Sequence, residues 1–259
     1  MEPRRQTIPV FLLVKTALQL LWQQRDDALR LGLVPTLLVF GGFLYGEEAL
    51  VTFLRVMQAG MAAELPPGIS ARVLVLSGII LVAICLLTVN WLRFLLLGPM
   101  GAVGLGLSIG QAHIRFLIAA IAFSLALMAA LFTLSLPLAF LPGALALLAN
   151  LLVFAGVLVL AARFLPFLIG KAIGQSLTLA QSWNVSRGNG LPLAMSLILV
   201  QVPFVLGLTL LQQVLGAVGF TALAPAGTLF IVSVVQVADW VCQASVLATA
   251  YRHMVGVRV

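Results

Sequence analysis

The chain has 259 residues, of which 63% are hydrophobic and 8% are charged. One soluble core cannot bury that much apolar surface, so the composition excludes a soluble globular protein and indicates a membrane protein. The formal charge of +7 and the pI near 10.8 would suggest nucleic-acid binding in a soluble chain. Here the basic residues fit anionic lipid headgroups, so nucleic acid is not an expected partner.

The N-terminal segment, residues 1–29, is predicted to lie at the membrane surface, with an amphipathic helix over residues 8–29. Its polar face carries Lys15, Gln19, Gln23, Asp26 and Arg30 at helical spacing. Its apolar face carries Val10, Leu13, Val14, Ala17 and Leu21, with Trp22 beside them. The alternative is that this segment is a bent extension of the first membrane span, with Pro35 at the bend.

The rest of the chain, residues 30–259, is predicted to be an all-α, polytopic membrane bundle of six transmembrane helices, because its apolar runs have the length that a bilayer requires. The predicted spans are 30–46, 73–96, 116–140, 143–162, 191–214 and 227–250. Twelve of the fourteen Lys and Arg residues fall at alternate joints, namely Arg4, Arg5, Lys15, Arg25, Arg30, Arg93, Arg115, Arg163, Lys171, Arg187, Arg252 and Arg258. Cytoplasmic joints retain Lys and Arg, so both termini are predicted to be cytoplasmic.

The outer joints are predicted to be small. The first, residues 47–71, is expected to form one short surface helix and a loop that ends at the turn Pro66-Pro67-Gly68. Its charged residues are Glu47, Glu48, Arg55 and Glu64, and Arg72 follows it directly. The other two outer joints, around residues 141–143 and 215–226, carry no charge. We therefore expect no outer domain that could bind a large partner.

A partial parallel repeat of helix hairpins is indicated at an offset of 70 residues, between about 73–140 and 143–214. The matched residues are Arg93, Phe94, Leu95, Ala102, Gly104, Leu107 and Gln111 in one copy and Arg163, Phe164, Leu165, Ala172, Gly174, Leu177 and Gln181 in the other. A capping box is predicted to start a helix in each copy, at Ser108-x-x-Gln111 and at Thr178-x-x-Gln181. Trp183 is predicted to anchor a short interfacial helix that ends at Gly188-Asn189-Gly190.

The second copy also carries a family resemblance. The sequence SLTLAQSW at residues 176–183, followed by Ser186-Arg187-Gly188-Asn189, resembles the motif between two spans of uncharacterised bacterial six-span inner-membrane proteins. These are the YciC-like proteins and the membrane domain fused to some glycerophosphodiester phosphodiesterases. The resemblance covers residues 160–195, and the rest only as six-span architecture. It implies a multi-pass protein of the bacterial inner membrane and leaves the activity open.

Asp239 is the acidic residue inside a predicted span, and it lies near the middle of the sixth. Gln236 and Gln243 share its helix face. Polar groups inside a membrane are costly unless they are paired or hydrated, so this stripe is a candidate site for a proton or a cation. The favoured interpretation is an interhelical hydrogen-bonding cluster with Asn90, Asn150 or Gln201. Arg93 and Arg163 are predicted to be interfacial anchors.

No sequence pattern indicates catalysis, a cofactor or a metal. The stretch Gly106-Leu107-Ser108-Ile109-Gly110 fits a hydrolase pattern but has no strand before it, and Ser108 is predicted to cap a helix. His113 and His253 are expected to be surface residues, and Cys85 and Cys242 apolar packing residues.

The sequence thus predicts a noncatalytic protein with a structural, assembly or regulatory role. Its expected partners are membrane lipids and another membrane protein. The alternative is a carrier of a small molecule, ion or lipid that uses Asp239, and an intramembrane enzyme fits least.

Overall fold

The computed structural model describes residues 8–59, 66–99, 109–175 and 177–256, and these residues form helices and no strand. The helices are α1 (Val10–Gln23), α2 (Arg25–Gln58), α3 (Ile69–Leu97), α4 (Gln111–Ser135), α5 (Gly143–Ile173), α6 (Leu179–Val185), α7 (Gly190–Ala217), α8 (Phe220–Leu223) and α9 (Pro225–Val255). A 3-10 turn, Leu136–Phe140, follows α4. Six of these helices, α2, α3, α4, α5, α7 and α9, are long and apolar enough to cross a membrane. The predicted helical class and the predicted number of such helices are confirmed for the described residues.

The first long helix differs from its predicted bounds at both ends. It begins at Arg25 rather than residue 30, and it continues to Gln58, so Glu47, Glu48 and Arg55 lie on α2 itself. The prediction of a separate short surface helix between spans 1 and 2 is therefore wrong for residues 47–59. Charged residues end an apolar run, but they do not end a helix when no breaker follows. The predicted turn is present, since Gly68 has φ +86° just before α3.

The N-terminal segment forms two helices rather than the single helix predicted over residues 8–29. The helix is interrupted at Gln24, between α1 and α2, and Pro35 lies buried inside α2. Pro35 therefore does not mark the boundary between the two helices. Leu13 and Ala17 are buried on the apolar face of α1, which packs against α9 and α7. The backbone amide of Ile8 donates to the side-chain oxygen of Asn189 at 3.0 Å, which ties the start of α1 to the start of α7.

Helix α9 lies at the centre of the bundle and packs against α1, α2, α3 and α7. Its half nearest the C-terminus is cross-linked to its neighbours by polar bonds. The indole nitrogen of Trp91 on α3 donates to the hydroxyl of Ser245 at 2.8 Å. The Arg252 guanidinium donates to the carbonyl oxygen of Leu95 at the end of α3. These contacts fix α9 against α3 at the end where both carry arginine.

Burial is concentrated at that same end of the bundle. Along α4, only His113 and Phe116, both in the first two turns, are buried. Along α7, burial stops at Val200, and the remaining turns are exposed or half-buried. The far ends of α4, α5 and α7 therefore present apolar surface outward, as expected where lipid rather than water surrounds a protein.

Candidate functional site

The central candidate site is Asp239, which is 5% exposed on α9. The amide nitrogen of Gln243, one turn further along the same helix, donates to its Oδ2 atom at 2.9 Å. The Oδ1 atom is also buried, and no described residue hydrogen-bonds to it. One oxygen of this carboxyl group is thus satisfied locally, and the other has no donor among the described residues.

A small cleft of about 70 Å³ between α7 and α9 borders this carboxyl group. It is lined by Gln201, Phe204, Val205, Leu208, Val235, Gln236 and Asp239. A water molecule in the liquid occupies about 30 Å³, so the cleft has room for about two waters or one polar group. Gln201 and Val205 are exposed on α7, so the cleft opens on the outer surface of the bundle.

The structure thus brings together four of the six predicted intramembrane polar residues, and the two asparagines lie elsewhere. The side-chain nitrogen of Asn150 donates to the carbonyl oxygen of Ala146 on its own helix, at 2.9 Å. Asn90 is buried, and its Oδ1 atom is 3.2 Å from Nε2 of His113. The cluster of Asp239 with either asparagine is therefore not formed in this structure.

His113 is buried, so its prediction as a surface histidine is wrong. The backbone amide of Gly110 donates to its Nδ1 atom at 3.2 Å. That bond leaves Nε2 as the protonated nitrogen, which donates to Asn90. The histidine caps the start of α4 on one side and joins α4 to α3 on the other.

The second site is the contact between α5 and the short helix α6, where Arg163 meets Trp183. The Arg163 guanidinium lies 3.3 Å from the centre of the Trp183 ring. It also donates to the Trp183 carbonyl oxygen at 3.1 Å. An arginine stacked on an aromatic ring gains both cation–π attraction and a planar contact. Arg163 therefore holds α6 against α5 and is more than the solitary interfacial anchor that the sequence predicts.

Two buried serines, Ser182 and Ser186, complete this contact, and the sequence motif alone does not predict their role. The hydroxyls of Ser182 and Ser186 donate to the carbonyl oxygen of Arg163 at 3.1 Å and 2.9 Å. Ser182 also accepts from the backbone amide of Phe167 at 3.1 Å. Pro166, inside α5, lacks an N–H and crowds the preceding turn, so an incoming hydroxyl can reach the backbone there. Serines four residues apart after a helix with an internal proline are the signal that could have indicated this contact.

The predicted capping box of the second copy is present. The amide of Gln181 donates to the Thr178 hydroxyl at 3.2 Å, and the amide of Thr178 donates to the Gln181 side chain at 2.8 Å. Gly174 ends α5 with φ +82°. The predicted turn after α6 is also present, since Gly188 has φ +85°. Thr178, Gln181 and Gly174 thus shape the backbone of the connection.

The first copy of the repeat can be compared only in part. Gly104 and Ser108 lie outside the described residues, and with them the predicted capping box at Ser108. Arg93 lies near the end of α3, and Gln111 is the first residue of α4. Gln111 thus opens a helix of 25 residues, whereas Gln181 lies in a helix of 7 residues. The repeat stays a prediction from the sequence.

The described residues hold no group of three His, Cys, Asp or Glu side chains that could bind a metal. Cys85 and Cys242 are both buried and unpaired. Comparison with protein-family models, with curated proteins and with solved structures found no match.

Proposed function

We propose that this protein is a noncatalytic component of a bacterial inner membrane, with both termini in the cytoplasm, that assembles with another membrane protein through the cleft between α7 and α9. One observation carries the proposal. The Oδ1 atom of Asp239 is buried and has no donor among the described residues, and the residue lines a cleft that opens beside Gln201.

An unpaired acceptor of this kind favours a partner inside the membrane. Lipid chains offer no hydrogen-bond donor, so an unsatisfied polar group in hydrocarbon costs several kcal/mol, on the order of 2 to 7. Polar side chains join membrane helices for that reason. The exposed amide of Gln201 adds a second group that gains from a partner. A transmembrane helix that presents a hydroxyl, amide or basic side chain at this depth would satisfy both groups.

The size of the cleft also favours a contact with a neighbouring helix over transport of a metabolite. About 70 Å³ admits one side-chain group from a neighbouring helix, but it is small for a metabolite, since ligand pockets take about 300 to 1,000 Å³. A structural or regulatory role in the envelope follows from a stable lateral contact of this kind.

Site-specific photo-crosslinking in cells tests the proposal. A photoreactive phenylalanine analogue at Val205, which lines the cleft, is expected to give one discrete adduct with a membrane protein. Asp239→Leu removes the acceptor and should abolish that adduct, and an elution volume equal to that of the wild type identifies the variant as folded. An adduct of doubled mass would identify the partner as a second copy of the chain.

The matched control is the same analogue at Leu206, the adjacent exposed residue that points away from the cleft. It is expected to give no adduct that depends on Asp239. Equal adducts at both positions, or an adduct at Val205 that persists in Asp239→Leu, would overturn the assembly proposal.

The same cleft supports one alternative, carriage of a proton or a small cation, because Asp239 lines it and it has room for about two waters. Proteoliposomes containing a pH-sensitive dye test this function. A carrier loses flux in Asp239→Asn, because asparagine cannot ionise. No proton flux above that of protein-free vesicles would exclude the proton carrier, and the same assay with a dye selective for the cation tests cation carriage.

A further inference from the structure

A second concave surface lies on the other side of α9, between α9 and α2. It is an apolar groove of about 420 Å³. Its outer wall is a stripe on α2 formed by Leu29, Leu33 and Leu37, each exposed to more than half its extent. Arg25 precedes this stripe at the same spacing of four residues. The exposed stripe therefore runs along α2, from a cation at the start of the helix to Leu37.

Small residues make the groove deep. Ala28, Gly32 and Thr36 form the α2 side of its floor at the same spacing, and Ala238 lies on the α9 side. At Gly32 the two helices approach closely, since a Cβ atom there would lie 3.4 Å from the Val237 side chain. Larger residues at these positions would fill the space that the groove leaves open.

The chemistry of the groove fits an alkyl chain. Its one polar side chain along the floor, Thr36, already donates to the carbonyl oxygen of Gly32 at 2.8 Å. The inner end is closed by Phe230, which packs edge-on against Phe40 at 5.5 Å. From Arg25 to Leu37 the helix rises about 18 Å, close to the roughly 15 Å thickness of one hydrocarbon leaflet. The groove thus has the length and the polarity of one acyl chain in one leaflet.

The open end of the groove fits a phosphate. The Arg25 guanidinium lies 5.2 Å from the centre of the Trp22 ring, and Trp22 is 72% exposed. Tryptophan and arginine together are typical of the headgroup level of a membrane. The nearest acid, Asp26, lies 3.8 Å from Nε of Arg25, and no described residue hydrogen-bonds to the two Nη atoms. Those atoms remain available for the paired hydrogen bonds that a phosphate accepts.

We propose that this groove binds one anionic phospholipid, with an acyl chain between α2 and α9 and the phosphate on Arg25. The lipid would cover apolar surface that no described side chain covers. It would also pack against both α2 and α9 along the stretch where small residues line the groove.

Native mass spectrometry of the full-length protein in detergent tests the proposal, with dioleoyl phosphatidylglycerol and dioleoyl phosphatidylcholine as matched probes. The wild-type protein is expected to retain one phosphatidylglycerol at low lipid concentration, more tightly than phosphatidylcholine. Ala238→Phe fills the groove and should remove that bound lipid with either probe. Arg25→Gln should weaken phosphatidylglycerol binding by about five-fold, the effect of losing one basic residue at a membrane surface.

Two controls separate these effects from general ones. Arg30→Gln removes the same charge from the same helix outside the groove, and Ala122→Phe adds the same ring to an exposed position on α4. Both should bind the lipid as the wild type does. An unchanged lipid count in Ala238→Phe, or an equal loss in Ala122→Phe, would overturn the acyl-chain assignment. Equal affinities of Arg25→Gln and Arg30→Gln would overturn the phosphate assignment.

Discussion

The carbonyl oxygen of Arg163 accepts from two hydroxyls, and removing them singly and together tests how α6 is held on α5. Ser186→Ala loses one bond to that oxygen and the longer contact of the same hydroxyl with the Trp183 carbonyl oxygen at 3.3 Å. A hydroxyl has one proton, so these two contacts count as one shared bond. Ser182→Ala loses one bond to the Arg163 oxygen and one from Phe167. Interhelical hydrogen bonds in membrane proteins contribute about 0.6 kcal/mol on average. We therefore expect the unfolding free energy to fall by about 0.6 kcal/mol in Ser186→Ala and about 1.2 kcal/mol in Ser182→Ala.

The double variant should lose more than the sum of the single losses. Either single variant leaves one hydroxyl on the Arg163 carbonyl oxygen, whereas the double variant leaves neither. A buried acceptor without a donor costs more than the net value of one bond, so the excess should be about 0.5 kcal/mol or more. The measurement is reversible unfolding in mixed micelles, followed by tryptophan fluorescence.

Ser77→Ala is the matched control, because its exposed hydroxyl donates only within its own helix, to Val73 at 2.8 Å. It should change the unfolding free energy by less than about 0.5 kcal/mol. A double variant of Ser182 and Ser186 that loses only the sum of the single losses would refute the shared-acceptor reasoning. Losses no larger than that of Ser77→Ala would refute the role of both serines in holding α6.

Asp239→Asn should leave expression and the elution volume of the purified protein unchanged, because asparagine keeps the acceptor for Gln243; loss of the folded species would contradict this. Gly190→Ala should lower the melting temperature, because a Cβ atom there lies 2.6 Å from Cγ of Arg163. Gly207→Ala is the control on the same helix, because a Cβ atom there meets nothing within 4 Å. It should raise the unfolding free energy by about 0.5 to 1 kcal/mol, since alanine favours a helix more than glycine does. If both variants stabilised the protein, or both destabilised it, this reasoning would be contradicted.

The helical class and the six membrane-length helices follow from hydropathy, because a run of apolar residues needs no tertiary information to be recognised. Helix ends follow less well. The first span was predicted to end before Glu47, but α2 carries on to Gln58 because the intervening residues favour a helix. The break at Gln24 was missed for a related reason, since no glycine or proline marks it. Hydropathy finds the part of a helix that lipid surrounds, and helix-breaking residues mark only some of the ends.

The candidate site could be predicted along one helix but not across helices. The spacing of Gln243 and Asp239 places them on one face of α9, and their bond confirms it. Choosing the partner on another helix requires knowledge of which faces meet. Gln201 meets the cleft, whereas Asn90 faces His113. The docking of Ser182 on α5 was missed for the same reason, because it depends on how α6 folds back.

The two proposed binding surfaces lie on different faces of the same helix, α9. Ala238 faces α2 and the apolar groove, whereas Asp239 faces the cleft beside α7, and adjacent residues of a helix point about 100° apart. A change at one surface should therefore leave the other intact unless α9 itself moves. Asp239→Leu should retain the phospholipid, and Ala238→Phe should retain the crosslink at Val205. If either variant lost both, then α9 would have to shift as a unit, and the lipid and the partner would be coupled through the position of that helix.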